Sequence, residues 1–398
     1  MHGGKVAKKY DPVKFAKFVK KEEKMPDRKY QICTRCVMDT TDPDIVFDAR
    51  GICNHCKLRD DLVNRFIFTE SERKRRLEEI VTSIQKAGRN KEHDCIIGLS
   101  GGVDSTFLAY KAKELGLRPL AIHLDNGWDS ELAVKNIELV INHLNIDLYT
   151  HVIDWEEFKD LQLSFLKAST PDSEIPTDHA INAILMQMAK KIGVRYILLG
   201  ANIATESHLP KAWSQGHLDW RYIKNVHRQF GTKELKTFPH MDIWRYARYL
   251  LTEASIDILN YLNYNKKEAI EILKKELCWK DYGWKHFESI YTRFYQGYIL
   301  PKKFGYDKRQ THFSSLICSG EMTREEALDK LREAPYPLEM QMEDRAYIIK
   351  KFDLSEETFE HIMSLPKKTY WDYPSYGKIF NGTVYKITRS FYQQYIKK

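Results

Sequence analysis

Residues able to do chemistry concentrate in two short stretches. The first is Ser100-Gly101-Gly102-Val103-Asp104-Ser105-Thr106. Two adjacent glycines let backbone N–H groups approach a ligand closely. A helix starting behind them favours an anion at its N-terminus. Ser100, Ser105 and Thr106 add hydroxyl donors, and the stretch reads as a phosphate cradle. No Lys follows the glycines, so it is not a GxxxxGK[ST] loop, and it is not GxGxxG. The second stretch is Cys33-Thr34-Arg35-Cys36, sixteen residues, then Cys53-Asn54-His55-Cys56. Two CxxC knuckles at this spacing match a four-thiolate zinc site. Tetrahedral Cys₄ leaves no open position, so its role is structural. An iron–sulfur cluster or a redox pair is the alternative. His55 could replace one ligand, but four thiolates make that unnecessary.

The elements that must position these groups are legible around them. The apolar run Cys95-Ile96-Ile97-Gly98-Leu99 is a buried strand leading into the cradle. Phe107, Leu108, Ala112 and Leu115 share one face of the helix leading out, and Gly116 ends it. Strands are expected at 95–99, 119–124, 146–153 and 194–199, with helices at about 105–115, 130–144, 155–168 and 178–191. This alternation predicts an α/β fold with a doubly wound parallel sheet. Ligands of such sheets sit at the carboxyl ends of the strands. Three strand ends therefore matter: Ser100–Thr106, Leu124–Trp128 and Gly200–Ser207. Glu206, after the fourth strand, is a candidate to hold Mg²⁺ with Asp104 through oxygen ligands.

The 398 residues divide into a charged tail (1–29), a Cys₄ knuckle (30–60), a helical connector (61–93), a nucleotide domain (94–240) and a mostly helical C-terminal region (241–398). A net charge of +8 suits an anionic ligand without choosing one. No apolar run is long enough to span a membrane, and the start has no apolar h-region of a secretory signal. The seven cysteines include three isolated ones, Cys95, Cys278 and Cys318. An odd count without an export signal reads as reduced and cytoplasmic. Arg73-Lys74-Arg75-Arg76 is the wet face of a helix rather than an RNA contact. The segment 201–240 is rich in His and Trp, shows no metal spacing among its histidines, and suits a substrate lid. Thr323 and Glu326 have capping-box spacing. Lys302, Lys303, Lys308 and Arg309 form a basic group that could grip phosphates. Residues 367–398 are aromatic and basic, and suit a last strand pair or a docking surface around Tyr370-Trp371-Asp372-Tyr373.

The string SGGVDS resembles the PP-loop of the N-type ATP pyrophosphatases, which split ATP between the α and β phosphates. With LDNGWDS at 124–130, LLGANIATES at 198–207, KFGYDKR at 303–309 and SGEMTREEAL at 319–328, residues 30–390 resemble the N-acetyl sugar amidotransferases of bacterial surface-polysaccharide and flagellin-glycan biosynthesis. The resemblance implies conversion of a sugar acetamido group to an acetamidino group, with ATP, Mg²⁺ and Zn²⁺ as cofactors. It implies nucleotide contacts at Ser100, Gly101, Gly102, Asp104, Ser105, Thr106 and Gly200, and Asp125 beside the adenosine. It makes Asp104, Lys308 and Arg309 the catalytic candidates. Position 2 is His2, and no other cysteine has a glutaminase context, so ammonia is expected from a separate glutaminase. The resemblance suggests partners similar to the two subunits of imidazole-glycerol-phosphate synthase, a glutaminase and an ammonia-conducting barrel. The alternative is a tRNA-modifying PP-loop enzyme resembling the thiolases. Those carry catalytic cysteines near the loop, whereas Cys95 lies inside a strand.

Overall fold

Alternating apolar side chains set the two faces of a five-stranded sheet. The computed structural model describes residues 29–65, 69–283 and 287–380. The expected tail at 1–28 and the segment 381–398 lie outside the described residues. The strands are β1 Cys95–Gly98, β2 Pro119–Asp125, β3 Asp147–Val152, β4 Tyr196–Leu198 and β5 Ala254–Ile256, all parallel, in the order β3-β2-β1-β4-β5. Four were expected from sequence. The fifth comes from the segment expected to be helical, whose remaining regular structure is largely helical. It is three residues long, too short for a period-2 signal to stand out.

Cys95, Ile97, Leu99, Ala121 and Leu198 face one side and pack with helices Glu70–Ala87, Val103–Glu114 and Lys266–Leu277. Ile96, Leu120, Ile122 and Ile197 face the other side and meet helix Ile175–Ile192. Burial on both faces explains why these strands read as continuous apolar runs. The strand order reverses between β1 and β4, so the loops after these two strands diverge and leave a crevice at the carboxyl end of the sheet.

A separate aromatic core joins the C-terminal region to the loop after β2. Trp128, Phe158, Phe165, Tyr222, Tyr291, Phe294, Phe352 and Phe359 are among its buried members. The attachment is made by backbone pairing: Ser130 N–H donates to the Glu288 carbonyl and Ile290 N–H to the Trp128 carbonyl, both at 2.8 Å. Thr323 and Glu326 form the expected capping box of helix Arg324–Arg332.

Segment 201–240, expected as a lid, borders the cavity at Ala201 and Glu206 and is packed into the protein from Trp213 onward. The buried Asp160 carboxylate accepts from the Thr232 and Lys233 N–H groups, and Glu157 accepts from those of Thr237 and Phe238. Buried acceptors of this kind fix a loop, because losing the partner would strand a charge. Trp213 is fully buried and stacks on Tyr306 at 4.8 Å, while Trp220 stacks on His240 at 4.4 Å. The expected docking surface is part buried and part exposed. Tyr370 and Tyr373 are buried, with their hydroxyls on Asp219 and the Ala168 carbonyl, while Trp371 and Asp372 are exposed. On helix Glu70–Ala87, Arg75 and Arg76 pair with Glu79 and Glu72 at i,i+4 spacing, as a solvated face would. Among the described residues, no helix is long and apolar enough to cross a membrane.

Candidate active site and cysteine centre

β1 delivers the chain into a turn that only glycine closes well. Gly101 has φ +80°, and a Cβ there would sit 2.9 Å from the Ala133 carbonyl oxygen and 3.1 Å from the Tyr282 hydroxyl. Gly102 N-caps helix Val103–Glu114, and no side chain caps that end. The first N–H groups of the helix thus open toward the crevice, where an anion is favoured. Ser100 and Ser105 complete the turn. Ser100 N–H donates to Ser105 Oγ at 3.2 Å, Gly102 N–H to Ser100 Oγ at 3.3 Å, and Ser105 Oγ–H to the Gly102 carbonyl at 3.2 Å. Thr106 departs from expectation. It is fully buried, and its Oγ1 makes no hydrogen bond within the protein.

The crevice holds a cavity of about 480 Å³. Ser100, Gly102, Asp104 and Ser105 form one wall, with Gly200 and Glu206 beside them. Gly200 has to be small: a Cβ there would lie 3.2 Å from the Asp104 carbonyl carbon. Asp104 Oδ1 accepts a short hydrogen bond from the Tyr264 hydroxyl and a longer one from Asn202 Nδ2 at 3.4 Å. Burial and the Asp104 charge push the Tyr264 phenol up, so it remains a donor. Trp279 Nε1 and the Tyr282 hydroxyl donate to the Gly101 carbonyl at 2.8 and 3.1 Å and hold the turn from outside. Nothing in the sequence marked Tyr264, Trp279 or Tyr282, since they lie far along the chain from the cradle.

The basic wall is not the predicted one. Lys266, Lys267 and Lys330 line the cavity, whereas Lys302, Lys303, Lys308 and Arg309 do not. Arg309 grips Asp307 with two nitrogens and donates to the Lys330 and Leu331 carbonyls, securing the end of helix Arg324–Arg332. Lys303 is buried with Nζ on the Ile362 carbonyl, and burial lowers its pKa to about 8. Lys302 donates to the Tyr298 hydroxyl at 2.8 Å. Lys308 lies in the field of Asp172, Asp178 and His217, a cluster the sequence did not signal. Partial desolvation, helped by the Asp172 and Glu174 charges and opposed by the His217 and Lys308 charges, raises Asp178, whose side chain is half-exposed. Asp125 Oδ1 accepts from Gly127 N–H at 2.9 Å and so caps the turn after β2. Behind that turn, His123 Nδ1 faces the Leu99 carbonyl at 3.0 Å and Nε2 faces Asp129 at 3.1 Å. Burial works against its charge, but the Asp129 carboxylate more than offsets this, and the His123 pKa is raised.

The cysteine knuckles converge. Cys33, Cys36, Cys53 and Cys56 are fully buried, with all four sulfurs within 4.8 Å of one another. The Cys36–Cys53 sulfurs are 3.7 Å apart and the Cys33–Cys56 sulfurs 4.0 Å. Cys33 Sγ accepts backbone N–H bonds from Arg35, Cys36 and Cys53 at 3.3–3.5 Å. Sulfurs supplied with N–H donors suit thiolates, so the donor set fits zinc. His55 is not a ligand, because its Nε2 is engaged by the buried Asp42 carboxylate at 2.6 Å. Cys318 is not isolated, and His208 does reach this centre. Cys318 Sγ is 3.9 Å from Cys56 Sγ, and His208 Nε2 is 3.8 Å from Cys56 and 3.7 Å from Cys318. Cys95 has no such setting: it is buried in β1, and burial beside Asp94 pushes its thiol up.

Comparison with known proteins matches residues 288–397 to the family described as "LPS biosynthesis protein WbpG-like, C-terminal domain". No curated protein matches the chain. Among solved structures, an NMN synthetase from Francisella tularensis is similar over 52% of this chain and 87% of that one, at 17% identity and a TM-score of 0.26. An NH3-dependent NAD synthetase from Campylobacter jejuni subsp. jejuni, solved with nitrate, is similar over 51% and 83%, at 16% identity and a TM-score of 0.28. The C-terminal part of the chain, from the residues that pair with the loop after β2, thus matches a lipopolysaccharide-biosynthesis domain and adjoins a parallel sheet carrying the cradle.

Proposed function

We propose that the chain is an ATP-dependent amidotransferase that converts the acetamido group of a nucleotide-linked sugar to an acetamidino group. The observation that carries the reading is the cradle Ser100–Ser105, at the switch point of the sheet and opening into the cavity beside Asp104 and Glu206. The lipopolysaccharide-type domain at 288–397 supports a sugar substrate.

An amide carbonyl is a poor electrophile toward ammonia. The acetamido oxygen attacks the α-phosphorus of ATP, the bond to the β-phosphate oxygen breaks, and pyrophosphate leaves. Ammonia adds to the resulting imidate carbon. The C–O bond breaks, AMP leaves with that oxygen, and the nitrogen loses a proton to give the amidine. The helix N-terminus, Ser100 and Ser105 hold the pyrophosphate as its charge develops. Lys266, Lys267 and Lys330 supply positive charge from the opposite wall. Asp104 and Glu206 are the oxygen donors a magnesium ion would take, adding Lewis-acid neutralisation of phosphate charge. Ammonia comes from a separate glutaminase with an ammonia-conducting barrel. Among the described cysteines, Cys95 is buried, Cys278 is alone and Cys318 belongs to the cysteine centre.

The test incubates the chain with ATP, Mg²⁺, ammonium and a panel of nucleotide-linked acetamido sugars. Pyrophosphate release with exchange of oxygen for NH in one sugar, seen by mass spectrometry, is expected. Glutamine should not replace ammonium for the chain alone. Pyrophosphate release that requires tRNA and ignores every sugar would overturn the reading.

A further inference from the structure

We propose that Cys56, His208 and Cys318 form a second zinc position that shares the Cys56 thiolate with the four-cysteine site. The three ligand atoms make a nearly equilateral triangle with edges of 3.9, 3.8 and 3.7 Å. Zinc takes thiolates at about 2.3 Å and imidazole at about 2.0–2.1 Å, so a tetrahedral ion has S···S edges of about 3.8 Å and S···N edges of about 3.6 Å. The triangle is one face of such a site. A soft sulfur pair with an imidazole is a donor set suited to zinc. Thiolates bridge two ions readily because sulfur keeps further lone pairs after binding the first.

The ring of His208 is set for this task. Ser315 Oγ–H donates to the Thr311 carbonyl at 3.0 Å, and Ser207 Oγ–H has Ser315 Oγ at 3.5 Å. Both hydroxyl protons therefore have an acceptor other than the ring. Each oxygen lies 3.1 Å from His208 Nδ1 and is placed to accept the proton of an Nδ1–H tautomer. That leaves the Nε2 lone pair directed at the two sulfurs, the arrangement that outer hydrogen bonds impose on ligating histidines. His208 is fully buried, so an unligated lone pair between two sulfurs would be poorly satisfied.

Charge permits it. Zinc takes cysteine as thiolate, so a second dication bound here would bring with it the charge that offsets a fifth thiolate 3.9 Å from Cys56. The site would tie three distant segments together. Cys318 ends helix Arg309–Cys318, whose His312 and Leu316 line the cavity, and His208 follows the cavity residue Glu206. With three protein ligands, the fourth position falls to water. The ion would brace both walls of the crevice from behind.

Metal content of the intact chain, purified without chelators, decides the matter by elemental analysis and native mass spectrometry. Two zinc ions per chain are expected. Cys318→Ser and His208→Gln should each fall to one, with the four-cysteine ion retained. One zinc in the wild type, unchanged in both variants, would overturn the proposal and leave Cys318 as a thiol hydrogen-bonded to a closed site. A Cys56–Cys318 disulfide in the purified chain would overturn it as well. If either variant fails to fold, the wild-type mass alone decides, since a chain carrying a single zinc contradicts the shared-ligand centre.

Discussion

The phosphate cradle and the cysteine centre are built to opposite plans. Every hydrogen bond inside the cradle spans five residues or fewer. The groups that would meet a phosphate are backbone N–H groups and hydroxyls of one contiguous stretch. The cysteine centre begins with two local knuckles but gathers His208 and Cys318 from 152 and 262 residues beyond Cys56. A backbone site needs only a turn and a helix start, so its geometry travels with its sequence. A side-chain ligand site needs directed lone pairs, which any segment can supply once the fold brings it near.

If the two plans are independent, damage to one should leave the other usable. Cys53→Ser should have the largest effect. Structural zinc contributes about 10–16 kcal/mol in small zinc-finger peptides, and a large part of that order should be lost from the N-terminal unit. Zinc should be released and limited proteolysis should cut within residues 29–65. Turnover should fall too, because Val37 N–H donates to Ser314 Oγ at 3.2 Å and Arg324 donates to the Cys33 carbonyl at 2.9 Å, linking the knuckle to the cavity wall. Nucleotide affinity, read by calorimetry, should stay within about tenfold. Complete loss of nucleotide binding would break the comparison.

Asp104→Ala should lower pyrophosphate release by about 10²–10³-fold, the scale of losing one electrostatic group at a reacting centre. Its melting temperature should fall by only a few degrees, since the loss to the fold is the carboxylate acceptor of Tyr264 and Asn202, worth about 1.5–3 kcal/mol. Near-normal turnover would remove Asp104 from the chemistry. Gly101→Ala tests the backbone plan directly. The left-handed conformation costs a residue with a Cβ about 1–2 kcal/mol, and the new methyl would press on the Ala133 carbonyl. A melting temperature lowered by several degrees and weaker ATP binding are expected, and wild-type values for both would show that the turn tolerates a side chain.

The smallest effect concerns the turn behind the cradle. The His123 pKa is raised in the folded chain, so its pairing with Asp129 stabilises fully below about pH 6.5, its ordinary value, and the gain is lost as pH rises through the folded value. Asp129→Asn should therefore destabilise more at about pH 5.5 than at about pH 9. Equal denaturant midpoint shifts at both pH values would show that the pair carries no proton-linked stability.

Much of this was legible before folding. β1 to β4, the cradle and the four-cysteine set follow from short apolar runs alternating with helical patterns, a glycine turn and ligand spacing. The errors fall where burial, not residue type, decides a role. Lys303 and Arg309 read as phosphate grips, yet one is buried on a carbonyl and the other secures a helix end. Thr106 reads as a donor, and its hydroxyl is buried without a hydrogen-bond partner in the protein. Lys266, Lys267 and Lys330 carry no local signal that separates them from the other lysines.

The sequence by itself determined the elements whose information is local: strands buried on both faces, a glycine turn opening a helix, and two thiolate knuckles. Only the tertiary structure decided which side chains complete the two sites. Tyr264 reaches Asp104 across 160 residues, and Trp279 reaches Gly101 across 178. His208 and Cys318 reach Cys56 in the same way. Such contacts depend on where helices and loops dock, and docking is set by the summed burial of apolar surface across the chain. No short window of residues contains that sum, so the motifs are read from the sequence while the fold chooses the distant side chains that meet them.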